Sequence, residues 1–276
     1  MSISAADVKK LRDLTGAGMM DCKKALAETN GNMEEAVEYL RKKGQKVSAQ
    51  RADREAKQGI IVTYIGDDGK KAVALELNCE TDFVARNEEF QENADAFAKI
   101  AFEKNISDAE ALKGEAYNGI TIAKQLETLV GKIGEKIDIS TVSIIDTDGQ
   151  IVSYIHPGSQ LAVLVEFEGA LSDEEVGRDV AMQIAAMSPI AATRDEVDAS
   201  VLEKEREIAK EQLINEGKPE NIAEKAAEGK MRRFFEERVL LEQKFVKDGS
   251  VSVSEYLKQK GAPSVRSFKR LQLGEN

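Results

Sequence analysis

Residues able to do chemistry are sparse in this chain, and none is spaced for it. His156 is the only histidine, so no catalytic relay or zinc site needing a second imidazole can be assembled. The two cysteines, Cys22 and Cys79, fall in different segments. They form neither a disulfide framework nor a metal-ligand spacing, and they read as small buried thiols of a reducing compartment. No GxxxxGK[ST] loop occurs, and no GxGxxG follows a strand. Gly16-Ala17-Gly18 lies between two helical stretches and is too short to cradle a phosphate. Carboxylates are plentiful, but they sit on expected helix surfaces, where they are solvated. The chain is therefore expected to work by binding, as a non-enzyme without a cofactor or metal.

Charge narrows what it binds. The formal net charge is −11 over 276 residues, which argues against a general nucleic-acid binder, because phosphate contacts need clustered Lys and Arg. From Arg41 to Gln58 there are seven Lys or Arg and two acidic residues. That tract suits either an RNA contact or a solvated connector, and the solvated reading is preferred. The N-terminal MSISAADVKK has neither the apolar run of a signal peptide nor the Arg-rich character of a transit segment. No stretch of eighteen apolar residues exists. The expectation is a cytoplasmic protein without membrane contact, whose partner is another protein.

The elements that position any binding surface follow from periodicity. Residues 1–44 read as three short helices. Ser4 with Asp7 and Asn32 with Glu35 resemble capping arrangements. Asn30-Gly31-Asn32 is a break, and Gly44 is an expected helix end. Residues 45–58 read as a basic linker. GIIVTYIGDDGKKAVALELN, residues 59–78, then aligns without gaps on GQIVSYIHPGSQLAVLVEFE, residues 149–168. Both copies read as β-hairpins followed by a helix, so the core is an internally duplicated α+β unit with antiparallel sheets. Its halves are 59–145 and 146–276. The first copy alone continues into NCETDFVARNEEF; where a duplicated scaffold diverges, one copy has usually acquired a task. An antiparallel helical hairpin interrupts the second half at about 193–245, turning at Gly217-Lys218-Pro219, with Val197, Val201, Ile208, Ile222, Ala226, Phe234, Leu241 and Phe245 as its apolar stripes. A short helix at Tyr256 and Leu257 and a strand from Ser267 to Leu273 close the α+β chain.

Four segments, in order, resemble the elongation factor Ts family: 11–44, 77–90 with its Thr81-Asp82-Phe83-Val84 signature, 154–167, and 217–237. The resemblance implies that 1–44 is shaped like a ubiquitin-associated (UBA-like) domain. It implies a guanine nucleotide exchange factor that promotes GDP release from elongation factor Tu during polypeptide elongation, binding the GDP-bound and nucleotide-free forms and disturbing the Mg²⁺ and phosphate site. The partner-facing residues it implies are Lys23, Thr81, Asp82, Phe83, Val84, Ile133, Gly134, His156 and Val246. Dimerisation through the helical hairpin is a further possibility. Lys247, where relatives often carry an apolar residue, and Ser159-Gln160-Leu161 depart from the usual pattern.

Each residue also has a plainer reading. Phe83 could be a core phenylalanine, but its polar neighbours and the absence of its segment from the second copy favour exposure. Lys23 is as consistent with a solvated helix lysine as with a contact. Ile133 and Gly134 could simply end a helix. Two rival functions, a ubiquitin-type adaptor and an RNA-binding ribosomal factor, rest respectively on residues 1–44 and on Arg41 to Lys57 alone. Neither needs a duplicated core or the Thr-Asp-Phe-Val segment.

Overall fold

The computed structural model describes residues 3–275; Met1 and Ser2 of the segment considered for targeting, and Asn276, lie outside the described residues. Helix α1 (Ala5–Thr15) starts at Ser4, whose hydroxyl accepts from the Asp7 N–H while the Asp7 carboxylate accepts from the Ser4 N–H. Helices α2 (Met19–Glu28) and α3 (Met33–Arg51) complete a module around Leu11, Cys22, Leu26 and Ala36. Asn32 caps α3 by accepting from the Glu34 and Glu35 N–H groups.

Gly44 does not end this helix, contrary to expectation. Residues 45–51, expected within the basic linker, extend α3 to Arg51. Gly44 is instead a packing residue, buried where α3 meets a later helix.

The first core half begins with an antiparallel hairpin, β1 (Gln58–Ile65) and β2 (Lys71–Cys79), followed by the one-turn α4 (Asp82–Ala85) and by α5 (Glu88–Lys104). A stretch that sequence patterning left undivided then forms α6 (Ala109–Lys113), β3 (Ala116–Tyr117), β4 (Ile120–Thr121), α7 (Ile122–Ile133) and β5 (Ile137–Asp146). The second half repeats the plan with β6 (Gln150–Ile155), β7 (Leu161–Phe167) and α8 (Glu174–Met187). Then come α9 (Ala199–Asn215), α10 (Glu220–Arg238), the pair β8 (Lys244–Phe245) and β9 (Asp248–Ser252), α11 (Val253–Gln259) and β10 (Val265–Gln272).

The two three-stranded antiparallel sheets have orders β1-β2-β5 and β6-β7-β10. In each, the second hairpin strand is central and a late strand completes the other edge. Helix α5 covers the outer face of the first sheet with Phe90, Phe97 and Ala101, and α8 covers the second with Val176, Val180 and Ile184. Their inner faces share a smaller core in which matching residues meet: Ile61 with Ile151, Ala72 with Ala162, Ala74 with Leu164. The hydrogen bonds between halves are reciprocal. The Ile61 N–H donates to the Ser159 carbonyl and the Ile151 N–H to the Gly69 carbonyl, both at 2.7 Å. A Cβ on Gly59 would lie 2.1 Å from the Leu77 oxygen, and one on Gly149 1.9 Å from the Phe167 oxygen. Both hairpins must therefore start on glycine, which is why that residue recurs in the repeat.

The helical hairpin is present, but its seam differs from the expected stripes. Ala209, Leu213, Ala223 and Ala227 pack α9 on α10, while Ile208 and Ile222 face solvent. Small alanines let two charged helices approach closely, and an apolar-stripe search weighted to large residues passes over them. Phe245 and Leu241 belong to the second core, and Val197 and Phe234 to a cluster at the hairpin base.

Candidate partner-binding site

The signature segment is held from below. Val84 and Ala85 are buried in the first core and anchor α4 to it. The Thr81 N–H and hydroxyl both donate to the Glu135 carboxylate, at 2.9 and 2.7 Å. The Cys79 thiol donates to the Thr81 carbonyl at 3.1 Å. Burial, and then the nearby Glu135 carboxylate, push that thiol up to about 12. It is a neutral structural donor.

On this platform Phe83 projects with 81% of its surface exposed. Asp82 is half exposed and accepts from Arg86 at 2.9 Å, one turn on. Phe83 lies outside the core, as its polar neighbours predict. A large aromatic left this bare on an otherwise anchored turn is uncommon unless something covers it.

Glu135 also explains what Ile133 and Gly134 do locally. Gly134 ends α7 in the left-handed region at φ 82°, so the chain turns at once and brings Glu135 under Thr81. Ile133 and Gly134 therefore sit beside the signature turn. Preceding it, Glu80 accepts from Arg51 at 2.6 Å, from Arg54 at 3.3 Å and from the Lys136 N–H at 2.7 Å. Burial works against its ionisation, but these partners outweigh it and hold the Glu80 carboxyl below its ordinary range. The Lys136 ammonium donates to the Ala52 carbonyl at 2.7 Å. The end of α3, the signature turn and the α7–β5 loop are thus one bonded assembly. Glu80 and Glu135 were not singled out from sequence, because a carboxylate beside a helix end looks solvated until the fold closes over it.

His156 and Val246 belong to the second half. His156 sits in the β6–β7 turn, where its N–H donates to the Leu161 carbonyl and its carbonyl accepts from the Ser159 N–H, both at 2.9 Å. Ser159 adopts φ 55°, matching Gly69 at φ 67° in the first copy, so a serine here keeps the turn that glycine makes in the other copy. Val246 is 47% exposed, and its N–H donates to Oε1 of the fully buried Gln183 at 2.8 Å. Lys247 pairs with Asp179 at 2.6 Å. Lys247 therefore fastens the Val246 loop to α8. Tyr154, beside His156, and Lys247, beside Val246, line one groove together with Asp179 and Met182.

Lys23 is exposed on α2. No hydrogen bond or ion pair among the described residues ties it to the signature turn. Among the described residues no group of three or more His, Cys, Asp or Glu could hold a metal ion. Among the described residues no helix is long and apolar enough to cross a membrane.

The family model described as elongation factor TS matches residues 80–275. This chain belongs to the elongation factor Ts family. Among its curated relatives, elongation factor Ts of Prosthecochloris aestuarii is 49% identical, with 99% of each chain covered. That of Chloroherpeton thalassium is 47% identical, again over 99% of both chains. That of Amoebophilus asiaticus is 45% identical, over 99% of this chain and all of its own. The match extends beyond the family model's span to the three-helix module. Membership of the elongation factor Ts family makes the chain a translation elongation factor. The matched span begins at Glu80, the residue clasped by Arg51 and Arg54.

Proposed function

We propose that the chain is a guanine nucleotide exchange factor that releases GDP from elongation factor Tu, acting in the cytoplasm by protein contact and carrying out no reaction of its own. The observation that carries this reading is Phe83, 81% exposed on a turn anchored by the buried Val84 and Ala85. Exchange requires the factor and GDP to oppose each other on Tu, and that opposition is reciprocal. A factor binding both forms of Tu equally would shift nothing, so some group must enter the partner and compete with the nucleotide-bound arrangement of its Mg²⁺ and phosphate site. A stiff aromatic on a fixed turn is suited to that, with Asp82 orienting its approach. Ile133 and Gly134 flank it, His156 and Val246 extend the surface to the second half, and Lys23 adds a contact from the helical module. The complex forms with GDP-bound Tu and persists with the empty GTPase.

Truncating a well-packed interface aromatic commonly removes about 2 kcal/mol or more, and about 1.4 kcal/mol is tenfold in rate. Phe83→Ala should therefore slow stimulated GDP release at least roughly tenfold, with Asp82→Ala doing less. Because Phe83 is exposed, the melting temperature should not move. Stopped-flow release of fluorescent GDP and thermal melting, run on the same preparations, check both halves. Wild-type exchange by Phe83→Ala would remove the wedge from the mechanism.

A further inference from the structure

Tyr154 lies near the end of β6 and His156 is the first residue beyond it, and the Tyr154 hydroxyl is 2.9 Å from Nδ1 of His156. The rings stand 6.0 Å apart, tilted by 59°. Tyr154 packs against the second core, which fixes the phenol ring. The turn hydrogen bonds to Leu161 and Ser159 fix the histidine backbone. The other copy shows what this arrangement replaces. Tyr64, at the matching position, packs edge-on against Phe102 with ring centres 4.9 Å apart. The residue matching His156 is Gly66, where a Cβ would come within 2.8 Å of the Phe102 ring. One copy thus uses its tyrosine to close a core and leaves no room for a side chain beyond it. The other uses the same tyrosine to hold an imidazole.

We propose that Tyr154 is a positioning residue for His156: its hydroxyl donates to Nδ1, which fixes the imidazole as the Nε2–H tautomer and presents one N–H donor to a hydrogen-bond acceptor on the partner. The direction follows from acidity. A phenol loses its proton near pH 10, whereas a neutral imidazole N–H is far less acidic, so the phenol is the donor. Which ring nitrogen then carries the proton is set by the hydrogen bond the other makes. The inference rests on His156 facing Tu, as proposed above.

Because His156 is the only histidine, two-bond ¹H–¹⁵N spectra of the full-length protein report one imidazole. Recorded at pH 8.5, above the ordinary imidazole titration, wild type should show a single Nε2–H tautomer and Tyr154→Phe a mixture. An Nδ1–H tautomer in wild type, or identical spectra for the two proteins, overturns the assignment. On GDP release, Tyr154→Phe should lower the maximal rate roughly three- to tenfold, as expected for one lost hydrogen bond. The concentration giving half-maximal rate and the melting temperature should not change. Added to His156→Ala, it should have no further effect, because Tyr154 acts only through the imidazole. A changed tautomer with unchanged exchange, while His156→Ala alone is slow, overturns the positioning role. If His156→Ala exchanges normally, the Tu-facing reading of His156 fails instead, and the spectra alone decide the tautomer.

Discussion

Cys79 shows how much of this molecule's chemistry is structural. Its thiol is pushed up to about 12 from an ordinary value of 9.0 by burial first and by the Glu135 carboxylate second. The folded state therefore holds this proton more tightly than the unfolded chain does. The resulting stabilisation is fully present below pH 9 and is lost as pH rises from there towards 12, at up to about 1.4 kcal/mol per pH unit. Tyr256, raised by burial and by its hydrogen bond to Asp179, adds a loss of the same sign. Melting temperatures between pH 8 and pH 10.5 should fall for wild type and fall less steeply for Cys79→Ala. Equal slopes would mean that the thiol ionises as easily folded as unfolded. At this scale the sequence was legible wherever a side chain's surroundings were local. Phe83 among Thr81, Asp82 and Arg86 reads as exposed. The partners of Glu80, Glu135, Gln183 and Asp179 come from distant segments, and nothing at those positions announces them.

Helices α3 and α7 cross backbone against backbone. A Cβ on Gly131 would lie 2.5 Å from the Gly44 Cα, whereas a Cβ on Gly44 would find Glu127 and Gly131 atoms at 3.4 Å. Gly131→Ala must force the helices apart and should cost about 1–3 kcal/mol. Gly44→Ala should be nearly neutral, because its tighter fit is offset by the gain of about 0.5–1 kcal/mol from replacing glycine inside a helix. Thermal melts of the two variants check this, and equal destabilisation would contradict the asymmetry. The same contact explains why the sequence pattern alone points to a helix end at Gly44. A glycine after a run of Arg and Lys is a common helix end, and only the arrival of α7 shows it to be a packing residue. The helical hairpin is a separate element. Its base is fixed by the Ile190 N–H to Arg238 carbonyl and Leu240 N–H to Ala191 carbonyl bonds, at 2.9 and 3.0 Å, and by Val197 with Val239. Replacing residues 204–232 with a short Gly/Ser loop spares that base. Both the core melting temperature and GDP-release activity should be retained; abolished exchange in a well-folded variant would make the hairpin part of the machinery.

At the scale of the whole molecule, two copies of one α+β unit clasp each other through reciprocal hydrogen bonds, and each has been adapted differently. The first carries the signature turn, bonded through Glu80 to the end of α3. The second carries His156 and an embedded helical hairpin. The duplication was readable because paired hairpins with matching glycines leave a gapless repeat. The docking of the helical module was not, since a polar tract such as 45–58 has the same composition as helix or tether. With α3 packed on α7 and clasped at Glu80, the module and the Phe83 turn should approach a partner as one body. On the proposed function, that one body and GDP oppose each other on Tu. The most direct measurement is release of fluorescent GDP from Tu in excess unlabelled nucleotide, with this chain at one-tenth of the Tu concentration. All of the label should be released at an accelerated rate, each molecule of the factor acting many times. GDP should weaken the complex with Tu by the same factor by which the complex weakens GDP binding. Release at the spontaneous rate, or an affinity for Tu indifferent to GDP, would contradict it.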